Sequence, residues 1–130
     1  MRRSVRVMII NEGKILLIHR FKNDKEYYVL PGGGIEEDET PEAAIIRETK
    51  EETNLDVSVK SEPEFEIRDD FGLHYYFLAK SFNGKLELGN PEKDRHSPEN
   101  SYSPEWIDVK KIASLNILPS ELKEKLLGRV

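Results

Sequence analysis

The stretch GGIEEDETPEAAIIRETKEETNL, residues Gly33–Leu55, decides the fold of this chain of 130 residues. It begins with glycines and holds eight acidic residues but only two basic ones. The whole chain carries a formal charge of −5 at pH 7, so this segment accounts for all of the excess negative charge. Like charges concentrated beside a glycine-rich loop repel one another, and the concentration therefore needs a physical reason.

Within this stretch the sequence predicts a loop with a defined backbone conformation, followed by a short, capped helix. Thr40-Pro41 marks the helix start, because threonine is a favourable N-cap and proline fits the first helical position. The helix should run to about Thr53, with Asn54 as a left-handed C-terminal cap. Glycines 32–34 precede the helix, and they allow the backbone to take positive φ or to approach another group closely.

Three glutamates near the end of this helix predict a bound cation. Glu48, Glu51 and Glu52 fall within an arc of roughly 100° on one helix face. Like charges at these spacings repel, and the last turn of a helix also disfavours carboxylates. The alternative is a solvated acidic surface. Hard oxygen ligands without a nearby histidine or thiol favour Mg²⁺ or Mn²⁺ over zinc or copper.

Arg47 has two candidate partners among the neighbouring acids. Its i,i+4 spacing from Glu51 fits an ordinary surface ion pair, which stabilises a helix by only a few tenths of a kcal/mol. A pair with Glu39 in the preceding loop would instead fasten that loop to the helix. Both alternatives stay open on spacing alone.

The composition argues against several classes of protein. The chain has no cysteine, which excludes disulfides, thiolate catalysis and cysteine-ligated zinc and fits a reducing cytoplasm. Its acidic balance argues against bulk binding of nucleic acid, which needs a basic face. No apolar run approaches the roughly 18 to 20 residues of a membrane span. We expect one cytoplasmic domain over residues 1–130, not bound to a membrane.

The rest of the chain predicts mainly strands. Ser4–Asn11 and Ile15–Arg20 should form a hairpin around the turn between them. Further strands are predicted at Tyr27–Leu30, Leu55–Lys60, Glu64–Arg68, His74–Phe82 and Glu105–Val109. Between the last two strands, Asn83–Pro104 reads as a long polar loop with a short strand at Lys85–Leu88. Near the end, Lys110–Leu115 is expected to form a helical turn, and Ser120 to cap a final helix that docks through Leu122, Leu126 and Leu127.

The acidic stretch also matches a longer motif. The fixed positions of G-x5-E-x7-R-E-x-x-E-E are all met, by Gly33, Glu39, Arg47, Glu48, Glu51 and Glu52. This motif resembles the Nudix box of the Nudix hydrolases, and the resemblance covers essentially the whole chain. Thr49 and Asn54 depart from the signature, which has an aliphatic residue and a glycine there. Neither departure changes a charged position, and asparagine tolerates a left-handed cap.

The resemblance implies a fold, a reaction and a set of roles. The fold is α/β, an α/β/α sandwich with a mixed β-sheet. The reaction is hydrolysis of a nucleoside diphosphate linked to another group, with water attacking phosphorus. By resemblance, Glu48, Glu51, Glu52 and the backbone carbonyl of Gly33 hold Mg²⁺ or Mn²⁺. Glu39 and Arg47 lock the loop, and the protein acts on a small nucleotide as a monomer or homodimer.

Three further residues are weaker candidates for the site. Arg20 is expected to contact the substrate phosphates, against the alternative of an ordinary surface arginine. Tyr28 is a candidate for stacking on a base, as are Phe21, Phe71 and Tyr102. Glu99 is a candidate for an extra ligand or general base, with Glu105 as its competitor. A different class of function, a nucleotide-binding module without turnover, remains the alternative to an enzyme.

Overall fold

Two β-sheets with helices on opposite sides make up the fold in this computed structural model, which describes residues 2–87, 97 and 99–129. Within those residues the strands are β1 (Arg3–Met8), β2 (Ile10–Asn11), β3 (Lys14–Lys22), β4 (Lys25–Val29), β5 (Gly32–Gly34), β6 (Asp56–Val59), β7 (Phe65–Asp69), β8 (Gly72–Asn83) and β9 (Asn100–Asp108). The helices are α1 (Pro41–Thr53), a 3-10 helix at Val109–Ser114 and α2 (Ser120–Leu127).

The first sheet is mixed, as the α/β expectation requires. Its strand order is β5–β1–β8–β6, and β7 pairs with β8 beside β6. Strands β1 and β8 run parallel, with Arg3 opposite Leu73 and Met8 opposite Leu78, whereas the other pairs are antiparallel. The second sheet has the order β2–β3–β4, and the long β9 covers the other side of β3.

Two apolar cores lie on the two faces of these sheets. The first joins α1 to β1, β6 and β8, through residues such as Val5, Ile45 and Phe77. The second joins α2 to the opposite faces, through residues such as Met8 and Leu122. Strand β3 contributes to both, because Leu16 belongs to the first core and Leu17 to the second. The arrangement is helix, sheet, helix, which confirms the expected sandwich.

The amino-terminal hairpin differs from the expectation. Ser4–Asn11 was expected to be one strand, but the chain forms two, with a break at Ile9. Strand β1 joins the first sheet, and only β2 pairs back onto β3. The turn itself is as expected, because Glu12 and Gly13 take φ of 52° and 76°. Ile9 is 1% exposed, and it marks the point where the chain passes from one sheet to the other.

The structure also differs from the expectation in the carboxyl-terminal third of the chain. Strand β9 starts at Asn100, five residues before the expected Glu105. Lys85–Glu87 is not a strand, and Leu88 lies outside the described residues. Ser120 is the first residue of α2 and not its cap, since Pro119 occupies the N-cap position without a side-chain hydrogen bond. Of the three leucines expected to dock, Leu122 and Leu126 are buried, but Leu127 is 43% exposed.

The expected helical turn after β9 is confirmed by the 3-10 helix at Val109–Ser114. The four remaining expected strands are present as β4, β6, β7 and β8, with ends shifted by one or two residues. Over the part of the chain that the structure describes, none of the helices has the length and apolar character needed to cross a membrane.

Candidate active site

Helix α1 carries the acidic cluster, and its two ends are formed as the sequence predicts. The Thr40 hydroxyl accepts a hydrogen bond from Ala43 N–H at 3.1 Å, and proline occupies the first turn. At the other end Asn54 takes φ of 66°, and its N–H donates to the carbonyl of Lys50. The helix therefore ends in the left-handed cap that asparagine tolerates without a glycine.

Thr49, which departs from the family signature, is fully buried on the inner side of α1. Its hydroxyl donates to the carbonyl of Ile45 at 2.6 Å, so the helix itself satisfies the polar group. Thr53 repeats the arrangement one turn later, donating to the carbonyl of Thr49. This local bonding explains how threonine replaces an aliphatic residue in the core, because the hydroxyls of Thr49 and Thr53 are both hydrogen-bonded.

The strand β5 consists of glycine alone, and the helix approaches it closely. A Cβ atom on Gly33 would lie 2.5 Å from the carboxyl carbon of Glu48. On Gly32, whose φ is 151°, it would overlap the carbonyl oxygen of Val5. Gly33 is paired with Val5, whose side chain is in the core under α1. The bare strand therefore lets a carboxylate lie directly against the backbone.

Glu52 is the most enclosed acid of the cluster, at 7% exposed. One of its carboxylate oxygens accepts a hydrogen bond from Gly32 N–H at 2.6 Å. A buried carboxylate is costly unless it is hydrogen-bonded, and this backbone donor offsets part of that cost. The same contact aims the Glu52 side chain at the glycine strand.

Arg47 fastens the loop to the helix, and of the two partners left open by the spacing, Glu39 makes the shorter contacts. Its Nε and Nη2 atoms donate to the two carboxylate oxygens of Glu39 at 2.8 and 3.0 Å. Nη2 also donates to the carbonyl of Gly34 at 3.1 Å. A forked pair of this kind fixes both direction and distance. The hydrogen bonds from Arg47 hold the pKa of Glu39 below its ordinary value, against the opposing effect of burial.

The third guanidinium nitrogen of Arg47, Nη1, contacts Glu48 and Glu51. Nη1 donates to a Glu48 oxygen at 3.0 Å, and it lies 3.4 Å from the nearer oxygen of Glu51. The pKa of Arg47 is raised, first by its hydrogen bond to Glu39 and then by the bond to Glu48, so the guanidinium stays charged. Arg47 thus compensates much of the negative charge on this helix face.

The donor set suits a hard divalent cation, although the carboxylates do not yet converge. Glu48, Glu51 and Glu52 offer only oxygen atoms, the ligands that Mg²⁺ and Mn²⁺ prefer. Across the described ranges, no three acidic or histidine side chains lie close enough together to hold an ion. Glu48 and Glu51 are both drawn towards Arg47 Nη1 instead. A shared ion would need these two side chains to turn from Arg47 towards Glu52.

Arg20 is held by strand β9. Its Nη2 donates to the side-chain oxygen of Asn100 at 2.7 Å, and Nε donates to the carbonyl of Ser101 at 3.2 Å. The guanidinium carbon lies 3.8 Å from the centre of the Tyr102 ring. Arg20 shares a strand face with Leu16, which belongs to the core under α1. The structure therefore fixes Arg20 on the α1 side of the sheet.

The two late acids occupy different places. Glu99 is exposed in the turn before β9, next to the Asn100 that holds Arg20. Glu105 lies opposite Leu17 and therefore faces the second core, away from α1. One of its oxygens is 3.0 Å from His19 Nδ1. Of these two residues, only Glu99 remains a candidate for the α1 site.

Tyr28 lies on the side of the second core. Its ring stacks on that of His19, with centroids 4.4 Å apart. His19 Nε2 is 2.8 Å from Glu26, and Nδ1 contacts Glu105. Burial alone lowers the pKa of His19, but the hydrogen bonds to Glu26 and Glu105 outweigh burial and raise it.

This cluster predicts a pH dependence of stability. A pKa raised in the folded state means that the charged imidazolium stabilises the fold. The contribution is fully present below the unfolded-state pKa of about 6.5 and is lost as the pH rises through the higher folded-state value. We expect the Tm difference between wild type and His19→Phe to be largest near pH 5 and to shrink above about pH 7.

Thermal unfolding of both proteins between about pH 5 and pH 9 measures this difference. The phenylalanine variant keeps a ring to stack on Tyr28 and removes both ring nitrogens. A Tm difference that does not change with pH would contradict the ion-pair explanation and assign the effect to packing.

Sequence reasoning missed a cavity of about 500 Å³ on the other side of β5 and β1. It is enclosed by segments that are far apart in the chain, and its lining includes Arg2, Ser4, Arg6, Tyr27, Val29, Leu30, Asp69, Phe71, His74, Tyr76, Leu118, Pro119 and Leu122. The alternation of β1 is the signal in the sequence, because it places Ser4 and Arg6 on the face opposite the valines.

The cavity and the acidic cluster meet at β5. Arg6 Nη1 donates to the carbonyls of Leu30 and Gly32 from the cavity side, at 2.9 and 3.4 Å. From the α1 side, Glu52 accepts a hydrogen bond from Gly32 N–H, and Glu48 lies close to Gly33. Strand β5 lies at the end of its sheet. A ligand that fills the cavity could therefore reach the carboxylates around one edge strand.

Comparison with known proteins places the chain in a family. The model of the NUDIX domain matches residues 1–126 of the chain. The chain therefore belongs to the NUDIX domain family, which confirms the resemblance seen in the acidic stretch. A solved structure of MutT from Aliivibrio salmonicida and Vibrio cholerae superposes with a TM-score of 0.79, covering 99% of this chain and 98% of the other. Its identity is 18%, so it shows the fold alone.

Two curated relatives carry the names of pyrophosphohydrolases. The ADP-ribose pyrophosphatase of Methanocaldococcus jannaschii is 37% identical over 94 residues, 67% of this chain but only 55% of the relative's length. The RNA pyrophosphohydrolase of Zymomonas mobilis is 28% identical over 144 aligned positions, covering 98% of this chain and 92% of the relative. The chain is thus similar to proteins named for cleaving pyrophosphate linkages.

Proposed function

We propose that this chain is a metal-dependent pyrophosphohydrolase of nucleotides. It cleaves a pyrophosphate bond in a nucleoside diphosphate linked to another group, either a nucleoside triphosphate or a nucleotide derivative. The observation that carries the proposal is the contact of Glu48 and Glu52 with the bare strand β5, with an open cavity on the strand's other face. The names of the two curated relatives support the same reaction.

The proposed ligands of Mg²⁺ or Mn²⁺ are Glu48, Glu51, Glu52 and the carbonyl of Gly33. When bound, the metal neutralises phosphate oxygens and acts as a Lewis acid and template for in-line attack by water. Glu52 is already held towards Gly32, and Glu48 lies against Gly33. Arg47 keeps its forked pair with Glu39 through Nε and Nη2, so it can release Glu48 and Glu51 without freeing the loop.

Other residues of the chain would bind and orient the substrate. The cavity is lined by apolar and aromatic side chains with a few polar groups, the ordinary character of a small-molecule site. We propose that the base enters this cavity and that the phosphates pass the edge of β5. Arg20 is proposed to contact the phosphates, and Glu99 to act as an extra ligand or general base. Tyr27, and not its neighbour Tyr28, lines the cavity.

The same proposal includes the setting in which the protein works. We propose a cytoplasmic enzyme with a single domain over residues 1–130, acting as a monomer or homodimer on a small nucleotide. The absence of cysteine supports a reducing compartment. The net charge of −5 supports a small substrate over bulk nucleic acid.

A nucleotide screen with Mg²⁺ and with Mn²⁺ tests the function. Purified protein is incubated with nucleoside triphosphates, ADP-ribose and dinucleoside polyphosphates, and the products are identified by mass. We expect a nucleoside monophosphate among the products, and one oxygen atom from ¹⁸O-labelled water in whichever product carries the attacked phosphorus. Tight nucleotide binding by titration calorimetry with no product in either metal would contradict the enzyme and favour the binding module.

A further inference from the structure

One hydroxyl in the cavity is buried without a protein partner. Tyr76 lines the cavity and is only 2% exposed. Its ring stacks on Phe65 with centroids 4.8 Å apart, which fixes its direction. Within the described residues no hydrogen bond satisfies its oxygen. Buried tyrosine hydroxyls ordinarily have a partner, so this one points to a group that enters the cavity.

The hydroxyl remains a hydrogen-bond donor at any physiological pH. Burial raises the pKa of Tyr76 to about 12, although the charge of Arg6 opposes the shift. The neutral phenol can therefore donate its proton to an acceptor on a ligand. Arg6 and Tyr76 lie directly opposite each other on the parallel strands β1 and β8, and both line the cavity.

Arg6 supplies a second donor beside Tyr76. Its Nη1 atom is committed to the carbonyls of Leu30 and Gly32, and these contacts anchor the guanidinium. Arginine carries five N–H groups and no acceptor, so the other nitrogens can still donate into the cavity. Tyr76 and Arg6 together favour a ligand atom that accepts hydrogen bonds.

Three other polar residues of the wall, Ser4, Asp69 and His74, contact one another, whereas Arg2 and Tyr27 also line the cavity. His74 Nε2 is 2.8 Å from Asp69, and its Nδ1 is 2.5 Å from the hydroxyl of Ser4. Both ring nitrogens of His74 are therefore used inside the wall. Asp69 also accepts from Phe71 N–H at 2.8 Å, which shapes the turn at the cavity rim. Tyr76 and Arg6, which lie opposite each other on β8 and β1, therefore offer donors that these contacts do not use.

The cavity suits a neutral flat group better than a phosphate. Much of its wall is apolar, from Val29, Leu30, Leu118 and Leu122, and the aromatic rings of Tyr27 and Phe71 border it. A doubly charged phosphate in such surroundings would need full compensation, and of the two arginines in the lining, Arg6 already shares its charge with two carbonyls. A nucleobase is flat, largely apolar on its faces and polar only at its edge.

We propose that Tyr76 and Arg6 read a carbonyl oxygen on the nucleobase, so that the protein prefers keto bases over amino bases. The proposal rests on the function proposed above and names the substrate class of that site. The keto bases guanine, hypoxanthine, uracil and thymine present an acceptor where adenine and cytosine present an amino donor. An amino group in that position would face the N–H groups of Arg6, which cannot accept.

Inosine triphosphate and adenosine triphosphate provide the test, because they differ only at the edge that these residues would contact. For wild type we expect kcat/KM for the inosine substrate to exceed that for the adenosine substrate by about tenfold or more. Tyr76→Phe removes the hydroxyl but keeps the ring, and it should lower the ratio several-fold, mainly through KM, while Arg6 still disfavours the amino base. Tyr75→Phe is the matched control, because Tyr75 faces the core under α1 and should leave the ratio unchanged.

Equal turnover of both substrates by wild type would overturn the proposal, as would equal effects of the two tyrosine variants. Binding of inosine and adenosine monophosphates without metal, measured by calorimetry, separates this proposal from the proposed function. Preferential binding of inosine monophosphate without hydrolysis of any nucleotide would contradict the proposed hydrolase function but support the preference for keto bases. Hydrolysis with no base preference in either assay would support the hydrolase function and contradict the preference for keto bases.

Discussion

Replacing Glu52 with glutamine is expected to abolish metal-dependent hydrolysis while leaving the fold intact. The amide oxygen of glutamine can still accept the hydrogen bond from Gly32 N–H, which Glu52 accepts at 2.6 Å. The negative charge is lost, and with it the proposed ligand whose carboxylate is the most buried of the three. We expect turnover to fall at least about 100-fold, more than the loss of a residue that only orients a metal ligand.

The stability of this variant should equal or slightly exceed that of wild type, because one of three crowded anions is removed. Glu42→Gln is the control, since Glu42 is exposed in the first turn of the same helix and the charge change is identical. Steady-state kinetics with Mg²⁺ and with Mn²⁺, together with thermal unfolding, measure both effects. Full activity of Glu52→Gln, or its failure to fold, would make the proposed metal site wrong.

Placing a methyl group on Gly33 should separate activity from stability. A Cβ there would lie 2.5 Å from the carboxyl carbon of Glu48 and 2.6 Å from its oxygens. The end of a glutamate side chain can move away at small cost, so the Tm of Gly33→Ala should change little. The displaced carboxylate would no longer lie against β5, and we expect about a 100-fold loss of turnover from a misplacement of this size.

Gly34→Ala is the matched control on the next residue. A Cβ on Gly34 would lie 3.7 Å from the end of the Arg2 side chain, an ordinary contact distance. The carbonyl that Arg47 binds is unchanged by the substitution. The two variants each add one methyl group, on opposite faces of the same strand. Kinetics and thermal unfolding then compare the effect of the two positions on activity and on Tm. Equal activity of both variants would contradict a role for Glu48 at this position.

Short-range features of the chain could be predicted because their causes lie within a few residues. The start of α1 at Thr40-Pro41 and its end at Asn54 follow from capping preferences that act over three or four positions. The repulsion among the glutamates on α1 was readable for the same reason. Spacing alone could not choose a partner for Arg47, and the structure shows that it contacts both Glu39 and Glu51.

Features that depend on distant segments were missed or misplaced. Strand β9 starts at Asn100, but Pro104 within it has no N–H to donate and weakens the pattern of a strand. The break at Ile9 arises because β1 and β2 belong to different sheets, which is a long-range choice. Tyr76 and Arg6 are 70 positions apart in the chain, and only the parallel pairing of β1 with β8 brings them side by side.

The all-glycine strand β5 has a consequence for which bond is cut. Because β5 has no side chains, Glu48 touches one face of it while Arg6 reaches its carbonyls from the other. The two halves of the site are therefore separated by the thickness of one bare backbone, which does not vary between substrates. This fixed separation would set the distance between a base in the cavity and a phosphate at the carboxylates. If the proposed site is correct, a phosphate at the right distance from the base would be attacked whatever lies beyond it, and one site would process substrates with very different leaving groups.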